Sequence, residues 1–318
     1  MVPASPRQKY TRKHTQAHAV SHRAILAIAC PRGNEPTPRW TFYNAIRPTT
    51  TLEHAMIVER IWTGNAYRNF NYLIACPETG EALAIDPLDH EKCLSTAKAR
   101  GWQITQLLNT HEHHDHTGGN AAVVAATGAK LIAHHKAATS IPGVDRGVRA
   151  GDVIKVGKTV ELECLDTPGH TLCHICLRSH TEQPALFSGD TLFNAGAGNT
   201  HNGGNTELLY TTFADQLARL PDNTRIYPGH DYIETNLRFT LAREPGNAAA
   251  AALLPSVAGH DPATSIVTTL AQEKQHNTFF RLTSADVIGK LREHFPELPE
   301  NPDARTVFVK LRELRNSW

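Results

Sequence analysis

Residues 111–116 read His-Glu-His-His-Asp-His, four imidazoles and two carboxylates in six consecutive positions. A protein interior seldom tolerates such a stretch, because each buried imidazole costs desolvation unless it finds a partner. A transition metal takes several imidazoles and a carboxylate at once. The apolar run Ile104 to Asn109 reads as a buried strand that delivers the chain into this cluster, and Thr117 to Thr127 reads as a helix opened by Gly118-Gly119. The cluster therefore falls at a strand end, where a rigid sheet presents functional side chains on its loops.

The regular pattern begins at Met56. Met56 to Trp62, Asn71 to Cys76 and Ala82 to Ile85 read as strands, the last two joined by a Pro-Glu-Thr-Gly turn, and Leu88 to Arg100 has helical spacing. Lys130 to Ala133 is a short strand. A second β-rich half follows, with strands over Asp152 to Val156, Val160 to Asp166, His174 to Arg178 and Ala185 to Phe187. Thr206 to Leu220 is an amphipathic helix, and Thr224 to Tyr227 is a last strand. Beyond His230 the pattern is almost entirely helical. Residues 1–49 stand apart: they are rich in Lys and Arg, Glu35 is their only acid, and a basic, disordered extension is expected there. Met56 offers an alternative translation start, and a targeting signal over the short apolar run Ala24 to Cys30 is the third reading.

His111 and His113 project to one side of an extended or turning segment, while Asp115 and His116 sit one turn further on. A single metal cannot easily take all four, but two metals roughly 3.5–4 Å apart can share them. Two metals require further ligands from later strand ends. Three similar turns supply candidates: Thr167-Pro-Gly-His170, Phe187-Ser-Gly-Asp190 and Tyr227-Pro-Gly-His230. In each, glycine precedes a metal-competent side chain and permits a tight or positive-φ backbone there.

The order His-x-His-x-Asp-His, then His170, Asp190 and His230, resembles the metallo-β-lactamase superfamily. The segments Tyr227–Tyr232, Asn236–Phe239, Glu244–Asn247 and Phe279-Phe280-Arg281 are similar to its glyoxalase II branch, the hydroxyacylglutathione hydrolases. The resemblance implies an α/β fold, a four-layer αβ/βα sandwich with a C-terminal helical domain. It divides the chain into an extension (1–49), a catalytic domain (50–230) and a helical substrate-binding domain (231–318). By motif position, His111, His113 and His170 would hold one divalent metal, and Asp115, His116 and His230 a second. Asp190 would bridge them, and Asp115 and Asp190 are the expected catalytic carboxylates. Glu112 and His114 are bystanders. His134, His135, His174, His180, His260, His276 and His294 read as surface or satisfied core residues.

All-nitrogen and oxygen ligands suit zinc, and also iron or manganese. Two such ions activate a shared water towards an ester or thioester carbonyl, and a thiolate leaves without strong acid assistance because a thiol pKa is only about 8.5. The expected reaction is therefore hydrolysis of a small thioester, with an acylated glutathione (S-lactoylglutathione, giving lactate) as the substrate the resemblance implies. The branch typically carries Lys and Tyr in the loop after the bridging Asp, whereas this loop reads Asn199-Thr-His201-Asn202-Gly-Gly204. His201 and Asn202 are the expected replacements, joined by Tyr232 and Arg281 as substrate contacts. Two alternatives remain: a persulfide dioxygenase with one iron on His111, His170 and Asp190, and a lactone or β-lactam hydrolase.

Composition narrows the rest. A net charge of +1 argues against a whole-chain role on nucleic acid, and no apolar run reaches the roughly 20 residues of a membrane helix. The six cysteines do not form a disulfide framework and predict reduced thiols in a cytoplasmic protein. Cys173 and Cys176, on a strand at i and i+3, face opposite sides and do not read as a redox pair.

Overall fold

The structure is a computed structural model and describes residues 56–318. The expectations for residues 1–49 lie outside the described residues. Strands β1 (Ile57–Trp62), β2 (Phe70–Ala75), β3 (Glu81–Ile85), β4 (Gln103–Leu108), β5 (Lys130–His134) and β6 (Arg146–Val148) form one sheet in sequence order. The first three are antiparallel and the rest parallel. Strands β7 (Val153–Val156), β8 (Val160–Asp166), β9 (Ile175–Ser179) and β10 (Ala185–Gly189) belong to a second sheet. A two-stranded hairpin, β11 (Leu192–Phe193) and β12 (Gly196–Ala197), follows, and β13 (Arg225–Pro228) returns parallel to β10. The second sheet runs β13-β10-β9-β8-β7.

Apolar periodicity explains the layering. The inner faces of both sheets meet in one core that includes Phe70, Tyr72, Ile74, Leu83, Leu108, Leu162, Leu177 and Phe187. The other face of the first sheet buries Leu73, Ala84, Ile104 and Leu107 with Ala97 of α1 (His90–Arg100) and Val123. The outer face of the second sheet packs Leu186, Ile226 and Cys176 against Leu209 and Phe213 of α4 (Thr206–Asp215) and the C-terminal helices. A fully buried strand such as β2, which carries no exposed position, is what a four-layer sandwich requires of its centre.

The expected helix over 117–127 is two helices, α2 (His114–Thr117) and α3 (Asn120–Thr127), broken at Gly118-Gly119. The Pro87–Leu88 backbone crosses at the break, where a Cβ on Gly119 would lie 1.9 Å from the Pro87 carbonyl oxygen. The extra turn starts inside the histidine cluster, so Asp115 and His116 are helical while His111 and His113 are not. Strand β6 and the β11–β12 hairpin were not expected; both are too short to show a period. After α4 (Thr206–Asp215) come α5 (Ile233–Arg243), α6 (Ala248–Val257), α7 (Leu270–His276), α8 (Ala285–His294) and α9 (Ala304–Asn316). Among the described residues no helix is long and apolar enough to cross a membrane.

The C-terminal helices are fastened to the sandwich by Glu273 of α7, which is fully buried. Its carboxylate accepts from the Ala195 amide (2.8 Å), the Asn277 amide (2.9 Å) and the Thr268 hydroxyl (2.6 Å). Ala195 has φ 59, a left-handed conformation a non-glycine residue keeps only when its surroundings hold it.

Candidate metal centre

The strand ends bring seven side chains together. Nε2 of His111 and Nε2 of His170 each lie 3.0 Å from Nδ1 of His113. Nε2 of His116 lies 3.2 Å from Nε2 of His230, and the Asp115 carboxylate is 3.6 and 3.5 Å from these two nitrogens. Asp190 spans both groups. Its oxygens are 3.5 Å from His170 Nε2, 3.4 Å from His116 Nε2 and 3.1 Å from His230 Nε2.

The outward nitrogen of each ring assigns its tautomer. His113 Nε2 donates to the Asn202 carbonyl (3.0 Å), His170 Nδ1 to the Asn199 carbonyl (2.7 Å), and His230 Nδ1 to the Tyr67 carbonyl (2.6 Å). His116 Nδ1 donates to Asp86 (2.9 Å). His111 Nδ1 donates to the Thr110 hydroxyl (3.0 Å), which itself donates to Asp86 (2.7 Å). The inward nitrogen of each ring is therefore the one free to bind a cation, that of His116 once its second proton has left. Five ring nitrogens and two carboxylates converge, and among the described residues Asp190 Oδ1 is buried with no hydrogen-bond partner. Such a donor set repels itself unless cations occupy it, so the residues fit two divalent ions in the groups His111/His113/His170 and Asp115/His116/His230.

Ionisation follows the same geometry. Burial, with the neighbouring His116 and His170 rings, holds His111 well below its ordinary value, and burial likewise lowers His170. Burial opposes charge on His116 too, but the Asp190, Asp86 and Asp115 carboxylates outweigh it and raise this ring to about 9. Burial works against the Asp190 carboxylate, yet His230, His116 and His170 hold its pKa well below the usual range.

Local structure explains the positions. Asp86 ends β3 with φ 49 and also accepts from the Thr110 amide (2.8 Å), tying the end of β3 to the start of the cluster. Of the three turn glycines, only Gly189 has positive φ, at 46. Gly229 is needed for closeness instead: a Cβ there would lie 2.4 Å from Asp190 Oδ1. Asn69, buried and unnoticed in the sequence, donates to the Asp115 carboxylate (3.2 Å).

Beside the cluster lies a cavity of about 280 Å3 lined by Phe193, Asn199, His201, Tyr232, Arg312 and Arg315, among others. The Tyr232 ring stacks on His230, with centroids 5.1 Å apart and planes 7° apart. His201 and Tyr232 line this cavity, whereas Asn202 meets the cluster through its backbone carbonyl. Arg281 does not line the cavity: Glu244 holds its guanidinium through two hydrogen bonds (2.5 and 2.6 Å). The cations at the cavity are Arg312 and Arg315 of α9, which the sequence reading missed; their spacing of three on one helix face was the available signal. Neither has a carboxylate partner among the described residues. Arg312 donates to the Ala197 and Gly198 carbonyls (2.6 and 3.1 Å), and burial beside Arg315 lowers it to about 9.

A two-sheet αβ/βα sandwich with a histidine and aspartate centre at one sheet edge, extended by helices, defines the metallo-β-lactamase class. Residues 72–230 match the family described as the metallo-beta-lactamase superfamily, and residues 231–318 match the hydroxyacylglutathione hydrolase C-terminus. The hydroxyacylglutathione hydrolase of Polaromonas sp. (strain JS666) is 82% identical over 263 residues, covering 83% of this chain and all of that one. The protein of the same name from Nitrosococcus oceani is 65% identical over equal coverage. Among solved structures, ETHE1 from Myxococcus xanthus superposes with a TM-score of 0.56 at 26% identity, covering 81% of this chain and 99% of that one. The chain belongs to the hydroxyacylglutathione hydrolase family of the metallo-β-lactamase superfamily.

Proposed function

We propose that this protein is a metal-dependent thioester hydrolase that cleaves acylated glutathione, S-lactoylglutathione in the first instance, to glutathione and a hydroxy acid. The observation that carries the reading is the adjacency of a seven-residue, two-group donor set to a cavity holding two arginines without carboxylate partners. The name shared by the Polaromonas and Nitrosococcus relatives supports the same substrate class.

Two divalent cations in these groups supply Lewis acidity and a water whose pKa falls towards 7. His111, His113 and His170 form the first seat, Asp115, His116 and His230 the second, and Asp190 reaches both. Zinc suits the donors, as do iron and manganese. Arg312 and Arg315 provide the charge that recognises a carboxylate of the thiol half, and Tyr232 and His201 line its path. Asn199 and Asn202 couple that wall to the centre through His170 and His113. Asp115, the less buried carboxylate, accepts a hydrogen bond from the attacking water and orients it. The departing thiolate needs no separate general acid.

A persulfide dioxygenase using only His111, His170 and Asp190 would leave the convergence of Asp115, His116 and His230 without a purpose. The deciding experiment is metal analysis combined with thiol release from S-lactoylglutathione. Two ions per chain with hydrolysis of a simple lactone or β-lactam, but not of the thioester, would overturn the substrate assignment. One iron per chain with oxygen uptake on a glutathione persulfide would overturn the reaction.

A further inference from the structure

Each histidine of the centre has its outward nitrogen anchored, and Asp115 is held by Asn69. Asp190 is the exception. Among the described residues its Oδ1 receives no hydrogen bond, and its Oδ2 lies against His170 and His230 of the donor set itself, at 3.5 and 3.1 Å. Its placement must come from the backbone of the turn that carries it.

That turn rests on His174. The Asp190 amide donates to His174 Nε2 at 3.1 Å. The proton of this imidazole is therefore on Nδ1, which faces the hydroxyls of Thr167 (2.9 Å) and Thr191 (3.1 Å). Thr167 has its own acceptor in the His174 carbonyl (3.3 Å), which leaves its oxygen lone pairs for the ring. A Cβ on Gly189 would lie 2.7 Å from His174 Nε2, so the turn closes directly onto the ring. The opposite relation holds on the ring face: His174 stacks on His111, with centroids 5.1 Å apart and planes 23° apart. One fully buried imidazole thus touches a member of the first group and the backbone of the shared carboxylate.

We infer that His174, in its Nδ1-protonated form, is a positioning residue that sets the Asp190 carboxylate between the two cation seats. The inference rests on the two-cation reading above, and it assigns His174 a role that its burial alone does not suggest. It acts through the Asp190 amide and, being fully buried, presents no surface to a substrate.

The test compares His174→Gln with His174→Asn. Glutamine places an acceptor near the position of Nε2, within reach of the Asp190 amide. Asparagine reaches only the Nδ1 position and keeps the threonine contacts. Both are purified as the zinc-loaded full chain, and each zinc's affinity is measured by chelator competition. Asparagine is expected to weaken the more loosely held ion by about 10- to 100-fold and to lower kcat with KM unchanged, while glutamine recovers most of both. The ¹⁵N spectrum of the wild-type imidazoles should show His174 protonated at Nδ1. Equal affinities in the two variants, or wild-type affinity in His174→Asn, overturn the inference. If neither variant folds, an Nε2-protonated His174 in the wild-type spectrum overturns it, and an Nδ1-protonated one upholds it. Fewer than two zinc ions in the wild type would instead defeat the two-cation reading.

Discussion

The carboxylate of Asp190 lies 3.1 Å from Nε2 of His230 and 3.5 Å from Nε2 of His170, although these histidines sit on opposite groups of the centre. One carboxylate between two sets of imidazole lone pairs is the arrangement that makes the sites a pair. Replacing Asp190 with Ala should therefore lower metal content and activity together, kcat/KM by at least about 100-fold. Elemental analysis beside steady-state kinetics checks this; two ions per chain at normal activity would refute the bridging role.

A cation entering the second seat must displace a proton. His116 is raised to about 9 by Asp190, Asp86 and Asp115 against the cost of its burial, so in the ion-free protein it is charged at neutral pH. His111 and His170 are lowered and carry no proton to release. Affinity at this seat should rise with pH up to about 9 and flatten above it. Calorimetry at about pH 7.5 in buffers of different ionisation enthalpy should count about one proton released at this seat. Release of none there would remove the argument.

Arg315 stands at the cavity, outside the donor set, with one long hydrogen bond to Asn236 (3.3 Å). If it binds the thiol half as proposed, its loss removes binding that acts equally on substrate and transition state. Arg315→Met should raise KM for S-lactoylglutathione about 10-fold, near 1.4 kcal/mol, with kcat little changed. A thioester of an uncharged thiol should show no such penalty. Equal KM changes for both substrates would place the carboxylate elsewhere. Arg312 is the poorer probe, because it also fastens the Ala197 and Gly198 carbonyls.

Glu273 is buried under four donors, counting His276 Nε2 at 3.3 Å with the three already described. Glu273→Ala strands several of them in a dry interface, at about 1–3 kcal/mol for each left unpaired. Urea denaturation should show a loss of about 3 kcal/mol or more, and Glu273→Gln a smaller one. A loss under about 1 kcal/mol would mean the interface repacks or admits water.

Much of this protein is local in origin and could be read along the chain. Alternation and apolar runs located β1–β5, β7–β10 and β13 to within a residue or two, because a strand's side-chain period is written in its own sequence. The seven side chains that the fold brings together were equally legible, since His-x-His-x-Asp-His and the three glycine turns are short-range patterns. Contacts between distant segments decided the rest. Pro87–Leu88 crossing Gly119 split one expected helix into two, and Glu244 took Arg281 out of the cavity while α9 delivered Arg312, 115 positions beyond Ala197. Which nitrogen of each ring carries its proton also depended on acceptors from elsewhere: Asp86, Asn199, Asn202 and Tyr67. Spacing along a chain can nominate ligands, but a lone pair's direction and a buried charge's partner exist only once remote backbone and side chains have packed around them.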